Sequence, residues 1–265
     1  MAVRVANQLE FGGAWEDPVA ITYTATATAG NLLIAGITER NGAVIANHTC
    51  DDDGTGGAWT LLVGHDHNKD DPTYRHCTSI WYKFSDGDED TVTLDDGTGN
   101  SKFGFIDEYE LEAGDAWGEI LGTSSAGVEN LGTSESLNSG NTAAIAGTNF
   151  LVLSFSSLKT GQNYEALSMT FNSGINNAFG YDNENAYEVA IACADLNDST
   201  TGVRSDTANM SSSSGDNQRS FISMIAVFDL SDAGGGSAVT KDGAITPSGV
   251  PTRHFAGARA VAGEL

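Results

Sequence analysis

Apolar and polar side chains alternate with a period of two along most of the chain from residue 19 to residue 230. In the clearest stretch, residues 19–28, the side chains of Ile21, Tyr23, Ala25 and Ala27 share one face and four threonines share the other. Such alternation is typical of a strand with one face on a core and one in water. We therefore predict half-buried strands of antiparallel sheets.

The same alternation recurs in further segments along the chain. These are residues 79–85, 91–95, 101–112, 149–158, 166–172, 186–196 and 220–230. Residues 31–37 (NLLIAGI) are apolar throughout and predict a strand buried on both faces. No segment of ten or more residues keeps a helical apolar stripe, so the predicted fold class is all-β.

One charged residue interrupts an apolar face. Asp107 falls on the face that Phe103, Phe105 and Tyr109 define. We expect a β-bulge at Ile106 and Asp107, which would turn the carboxylate outward. The alternative is a buried carboxylate with hydrogen-bond partners.

Clusters of Gly, Asp, Asn and Ser separate the strands and predict turns and surface loops. They are residues 51–57, 86–90, 95–100 and 211–216. The 86–90 sequence (DGDED) offers oxygen ligands at alternate positions, but the later glycine and distal glutamate of an EF-hand loop are missing. Asp51, Asp52 and Asp53 form a second acidic group. We expect neither group to be a functional calcium site.

Histidines and cysteines offer the other candidate ligands. His65 and His67 would share one side of a strand with His76 one hairpin away, a three-histidine metal site in principle. We instead expect exposed loop histidines and no metal. The cysteines are odd in number, and we expect Cys193 to be a buried thiol. Cys50 and Cys77 would pair only in an oxidising compartment.

Catalytic signatures do not appear in the sequence. We find no nucleophile elbow, P-loop, Rossmann glycine fingerprint or HExxH motif, and we predict no enzyme. A polysaccharide-degrading enzyme remains a less favoured alternative, because its two carboxylates need not be close in sequence. Four tryptophans could stack on sugars, but we expect them to fill the core or seal its edges. They are Trp15, Trp59, Trp81 and Trp117.

The chain changes character near its end, which suggests three regions. Residues 1–230 form the predicted β-sandwich domain, residues 231–237 a glycine-rich linker, and residues 238–265 an extended tail without strand-like alternation. A tail with few apolar side chains is disordered or is ordered by a partner. We predict that this tail anchors a partner through Ile245, Pro247, Val250, Arg253, Phe255 and Arg259.

The two halves of the body show a faint internal similarity. The segment AGNLL at residues 29–33 resembles AGTNFL at residues 146–151, and each opens a long apolar strand. This agrees with two related halves of a sandwich, although the similarity is too weak to define a repeat.

The net charge of the chain further limits the classes of function that we expect. The chain has 36 acidic against 12 basic residues, a formal net charge of −24 and a pI near 4.2. This balance disfavours sequence-independent nucleic-acid binding, which needs clustered positive charge. Few lysines with abundant Asp, Thr, Gly and Ala resemble the proteins of haloarchaea and their viruses. Adaptation to molar salt is the favoured interpretation, and an ordinary acidic protein the alternative. We expect no signal peptide at the chain start, which lacks a basic segment followed by an apolar run, and no stretch approaches a membrane span.

An ordered run of motifs resembles a jelly-roll module of virion proteins in tailed viruses. The motifs are GNLLIA (residues 30–35), GAWTLL (57–62), IWYKFSDG (80–87), DEY (107–109) and AVF (226–228), and GAITPSG (243–249) is similar to elements near the ends of viral appendage proteins. The resemblance implies an antiparallel two-sheet jelly-roll sandwich with an extended C-terminal tail. The inserted 51–53 and 65–76 segments depart from the pattern.

The resemblance implies a virion structural protein made in the host cytoplasm. The expected positions are a capsid decoration or turret, or a tail fibre or baseplate part. The expected partners are other virion proteins and further copies in a trimer or pentamer, without nucleic acid, membrane or cofactor. A module that binds host surface glycans is the alternative.

Overall fold

The computed structural model describes most of the chain in fourteen segments. They are residues 1–6, 8–14, 18–40, 44–67, 75–97, 102–129, 133–147, 149–159, 167–173, 178–181, 189–211, 220–232, 237–239 and 245–247. Within them, the chain is built of antiparallel strands, with one 3-10 turn at Ile45–Asn47. The predicted all-β, antiparallel sandwich class is confirmed. No helix in the described part has the length and apolar character needed to cross a membrane.

The first half of the chain contributes nine strands. They are β1 (Ala2–Arg4), β2 (Glu10–Ala14), β3 (Val19–Thr22), β4 (Leu32–Arg40), β5 (Thr49–Asp52), β6 (Thr60–His67), β7 (His76–Phe84), β8 (Thr91–Asp95) and β9 (Lys102–Leu111). Strands β2-β9-β4-β7-β6 form sheet A, with β1 beside the end of β9, and β3-β8-β5 form the smaller sheet B.

The second half contributes eight strands. They are β10 (Asp115–Glu129), β11 (Ser134–Asn138), β12 (Phe150–Lys159), β13 (Ser168–Phe171), β14 (Ala178–Tyr181), β15 (Val189–Asp198), β16 (Thr207–Ser211) and β17 (Ser220–Asp232). Strands β10-β17-β12-β15-β14 form sheet C, and β11-β16-β13 form sheet D.

The two halves repeat one strand order. Adding eight to each strand number of β2-β9-β4-β7-β6 gives the order of sheet C, and adding eight to β3-β8-β5 gives sheet D. Each half is therefore the same eight-strand unit. The faint similarity between AGNLL and AGTNFL lies at equivalent places, because β4 starts at Leu32 and β12 at Phe150.

Sheets A and C face each other, and sheets B and D cover their outer faces. Ile34, Phe105 and Phe155 lie in one apolar cluster between A and C, where the Phe105 and Phe155 rings stack at 6.0 Å. A second cluster joins A to B, and a third joins C to D. The structure thus adds two outer layers to the predicted two sheets.

The halves meet with an approximate two-fold relation. Strand β6 of sheet A packs against β10 of sheet C, while β2 packs against β14. Because β2 corresponds to β10 and β6 to β14, the two contacts are equivalent, as across the interface of a symmetric dimer. The inner faces of both halves are buried by this pairing.

The central strands are not half-buried as predicted. Every residue of β12 is buried, and β9 is buried from Lys102 to Tyr109. The prediction was wrong for these strands because a second sheet covers the face that alternation had assigned to water. Polar residues on that face consequently lie between two sheets.

One strand boundary and one whole strand also differ from prediction. Strand β3 ends at Thr22 rather than continuing to residue 28, because the Gln8 side chain exchanges hydrogen bonds with the backbone of Ala25. Ala25 itself is exposed, whereas Ile21 and Tyr23 are buried as expected. The longest strand, β10, was not predicted.

Candidate functional site

His76 lies at the centre of a buried hydroxyl network between sheets A and C. Its Nε2 is 3.0 Å from Thr38 Oγ1 and 3.1 Å from Ser157 Oγ, and its Nδ1 is 2.9 Å from Ser220 Oγ. Burial, followed by the charge of Lys159, lowers the pKa of His76 well below its ordinary value. Because the imidazole is neutral and both of its nitrogens are hydrogen-bonded, His76 has a structural role. The expectation of an exposed loop histidine was therefore wrong for His76.

His65 and His67 lie on β6 and are half-buried. Their rings stack at 6.1 Å, and His65 Nδ1 is 3.1 Å from Ser125 Oγ of β10. A Cβ on Gly127 would come within 2.7 Å of both rings, so glycine at this position lets β10 approach them. The expectation of exposed loop positions was wrong for this pair too. The three histidines do not form a ligand cluster.

Asp107 is a buried carboxylate in a regular strand. It pairs with Ile34 in the β4–β9 register without a bulge, and its side chain is 1% exposed. Asp107 Oδ2 accepts a hydrogen bond from Tyr109 at 2.8 Å and forms an ion pair with Arg4 Nε at 2.8 Å. The expected bulge was wrong, and the buried alternative is confirmed.

The charge of Arg4 is shared between the two central sheets. Its Nη2 lies 3.1 Å from Asp195 Oδ1 of sheet C, while its Nε contacts Asp107 of sheet A. Burial raises the pKa of Asp107 to about 7, although Arg4 and Tyr109 oppose the shift. Burial also raises the pKa of the neighbouring Cys193 thiol, which confirms the predicted buried thiol.

The two acidic loops are joined to each other by their own carboxylates. Lys83 Nζ lies 2.8 Å from both Asp52 Oδ2 and Glu89 Oε1, and all three side chains are buried. Asp88 Oδ2 accepts hydrogen bonds from the backbone and hydroxyl of Thr55 in the other loop. These carboxylates therefore bridge the 51–57 and 86–90 segments.

Glu89 is the centre of the 86–90 loop. Its carboxylate accepts hydrogen bonds from Ser85 Oγ and from the amides of Asp86 and Gly87. Burial alone would raise the pKa of Glu89, but the bonds from Lys83, Ser85 and the loop amides outweigh it and lower the pKa to about 2. The loop with calcium-like spacing thus holds the Glu89 carboxylate, and its charge is balanced by Lys83.

A mixed cluster of Glu39, His48 and Cys77 lies between sheets A and B. The Cys77 thiol donates to Glu39 Oε1 at 3.2 Å, and His48 Nε2 is 3.0 Å from the same sulfur. One ligand-type atom from each residue lies within 4.8 Å of the others, and all three residues are buried. Among the described residues, no other group of three His, Cys, Asp or Glu side chains meets this condition.

Burial sets the protonation of this cluster. It lowers the pKa of His48 to about 4 and raises that of Cys77 well above its ordinary value. The imidazole and the thiol are therefore both neutral at pH 7. Cys77 and Cys50 are free thiols and do not pair.

The tryptophans of the described residues belong to the interior. Trp59 and Trp117 are 7% and 6% exposed, and Trp81 packs against the apolar cluster between A and B. Trp59 and Trp117 thus fill the core as predicted, whereas Trp81 is only partly buried. Trp15 lies outside the described residues.

The predicted anchoring residues fall at the end of the chain. Ile245 and Pro247 lie in β19 (Ile245–Pro247), which pairs with β18 (Ser237–Val239), and β18 packs beside β10. The expectation of no strand after residue 238 was wrong for this hairpin. Val250, Arg253, Phe255 and Arg259 lie outside the described residues, as do residues 233–236 of the predicted linker.

Comparison of the chain with protein-family models, curated proteins and solved structures finds no match in any of the three. The resemblance to virion modules therefore stays a prediction.

Sequence reasoning missed the Glu39, His48 and Cys77 cluster. The three residues come from β4, from the residue before β5, and from β7, so no local motif links them. The one available signal was that Glu39 falls on a strand face that is otherwise apolar, with Leu33, Ala35 and Ile37.

Proposed function

We propose that this chain is a structural protein on the surface of a virus particle, in a capsid decoration or turret or in a tail fibre or baseplate. Its β body serves as the rigid outward part, and the segment after Asp232 attaches the subunit to a neighbouring virion protein. Assembly into a symmetric homo-oligomer, such as a trimer or pentamer, is part of the proposal.

The observation that carries the proposal is the strand order of each half. The path β2-β9-β4-β7 in one sheet with β3-β8-β5 in the other is the order expected from two Greek keys, although β6 pairs with β7 instead of joining β5. This order supports a jelly-roll assignment for both halves, and viral capsid domains often use that architecture.

The net charge supports adaptation to high salt. Of the five lysines, Lys83, Lys102 and Lys159 are buried, and Arg4 is largely covered. The described interior also holds seven buried acidic residues, so the support for high salt comes from the formal net charge of −24 rather than from burial. Molar salt would screen the self-repulsion of this charge within a few ångströms.

Truncation after Asp232 tests the anchoring role. We expect the truncated protein to fold, as judged by circular dichroism and thermal melting, but to be missing from assembled particles. A second truncation after Pro247 keeps the β18–β19 hairpin and removes only residues 248–265, and we expect it to be missing too. Full occupancy of particles by the chain truncated after Asp232 would show that the anchoring idea is wrong.

Glycan binding is the alternative, and the buried tryptophans give it no support. A glycan array in high salt, with the folded protein verified by circular dichroism, separates the two functions. Specific binding to one glycan class would favour an adhesion module over a purely structural part.

A further inference from the structure

We propose that Glu39, His48 and Cys77 form a binding site for a zinc ion that ties sheet A to sheet B. The proposal is independent of the virion function, because it concerns the interior of one chain.

The first support is the geometry of the three side chains. Glu39 and Cys77 face each other across the β4–β7 register, and His48 reaches the same point from the turn before β5. The sulfur contacts the glutamate oxygen at 3.2 Å and the histidine nitrogen at 3.0 Å. A zinc ion with bonds of about 2.0–2.3 Å needs ligand atoms about 3–4 Å apart; both sulfur contacts are in this range, and the glutamate oxygen and histidine nitrogen lie within 4.8 Å of each other.

The second support is the group behind the histidine. His48 Nδ1 lies 2.7 Å from Ser79 Oγ, and Ser79 Oγ also accepts a hydrogen bond from Trp81 Nε1 at 2.9 Å. Metal-bound histidines usually donate their second N–H to an oxygen that fixes the ring and its tautomer. In the metal-bound form Nδ1–H would donate to Ser79, which leaves the Nε2 lone pair for the metal.

The third support comes from the other half of the chain. Glu39, the next-to-last residue of β4, is paired with Cys77 on β7 and Lys102 on β9; Leu158, the next-to-last residue of β12, is paired with Ala190 on β15 and Phe221 on β17. The latter three residues are buried apolar side chains between sheets C and D. The fold therefore closes this junction without polar groups, so the polar cluster in the first half calls for a role beyond packing.

The donor set selects the metal. A thiolate, an imidazole and a carboxylate suit zinc, whereas calcium and magnesium prefer oxygen ligands alone. Binding would convert the Cys77 thiol to a thiolate and release one proton to solvent. Three protein ligands leave the fourth tetrahedral position for a water molecule.

Metal uptake by the full chain tests the proposal. The protein is refolded in reducing, high-salt buffer with Zn²⁺ or Co²⁺, passed over a chelating resin and analysed for metal. We expect one equivalent per chain, with Co²⁺ giving thiolate-to-metal charge-transfer absorption and the d–d bands of a tetrahedral site. Zinc should also raise the thermal midpoint.

Variants separate the site from adventitious binding by the acidic surface. We expect Cys77→Ala to lose the charge-transfer band and Ser79→Ala to weaken affinity about 10–100-fold, the usual effect of removing an outer partner. Cys193→Ala, which removes a buried thiol elsewhere, should bind as the parent does. Folded parent protein that retains no stoichiometric metal, or a charge-transfer band that persists in Cys77→Ala, would overturn the proposal. If Cys77→Ala does not fold, the parent's metal content and the Ser79→Ala affinity still decide.

Discussion

Charged side chains inside the sandwich are the main residue-scale feature of this protein. Three charged residues in strands are buried in the interior: Asp107, Glu39 and Lys102. Lys102 Nζ, for example, lies 2.7 Å from Asp96 Oδ1. Burying a charge is costly unless it is paired and hydrogen-bonded, which explains why these residues occur in clusters.

The carboxyl of Asp107 should make stability depend on pH. Its pKa is raised from 3.8 to about 7 in the folded state, so the folded protein binds this proton more tightly than the unfolded chain. The resulting contribution is complete below about pH 4 and is lost as pH rises through about 7. In Asp107→Asn this contribution is absent, and the stability difference between parent and variant should change by up to about 4 kcal/mol over that range.

Urea unfolding at several pH values between 4 and 8 measures this difference. Ser134→Ala, an exposed change without a titrating group, should parallel the parent protein at every pH. Parallel curves for Asp107→Asn and the parent would contradict the raised pKa.

At the scale of elements, polar contacts decide where strands end and how loops meet. Strand β3 stops where Gln8 binds Ala25, and the 51–57 and 86–90 loops meet around Lys83. Sequence alternation located most of the long strands. It missed β10, an edge strand rich in glycine and serine. Its residues do not alternate between buried and exposed positions, so no period of two marks it in the sequence.

Lys83→Met should destabilise the protein strongly. The change leaves the buried carboxylates of Asp52 and Glu89 without their cation, and breaking such a buried pair typically costs about 3–5 kcal/mol. Chemical denaturation would measure the loss. Thr55→Val removes an exposed hydroxyl bond to Asp88 in the same two loops and should cost about 1 kcal/mol or less. Equal effects of the two changes would show that Lys83 does not hold the loops together.

At the scale of the whole molecule, two equivalent halves share one interior and present an acidic exterior. The two-fold relation buries both inner faces, so each half supplies the other with its core. Because the chain carries a formal net charge of −24, long-range repulsion should limit stability in dilute buffer.

The melting temperature should therefore rise by several degrees between 0.1 and 3 M KCl. Scanning calorimetry over that range would measure the rise. The same measurement at 0.1 M KCl with increasing sucrose, which is excluded from the protein surface but does not screen charge, separates screening from preferential exclusion. A flat or falling curve would remove the high-salt interpretation.

The sequence by itself determined the fold class and the location of most long strands, because period-two alternation is a local property of the backbone. It also indicated the buried Cys193 and the related segments that open β4 and β12. The tertiary structure alone decided what covers each strand face. Alternation states that two faces differ, but it does not state whether water or another sheet lies against the second one. For the same reason, residues far apart in sequence, such as Asp107 and Asp195 around Arg4 or Glu39 with His48 and Cys77, come together only when the strands pair and the sheets stack.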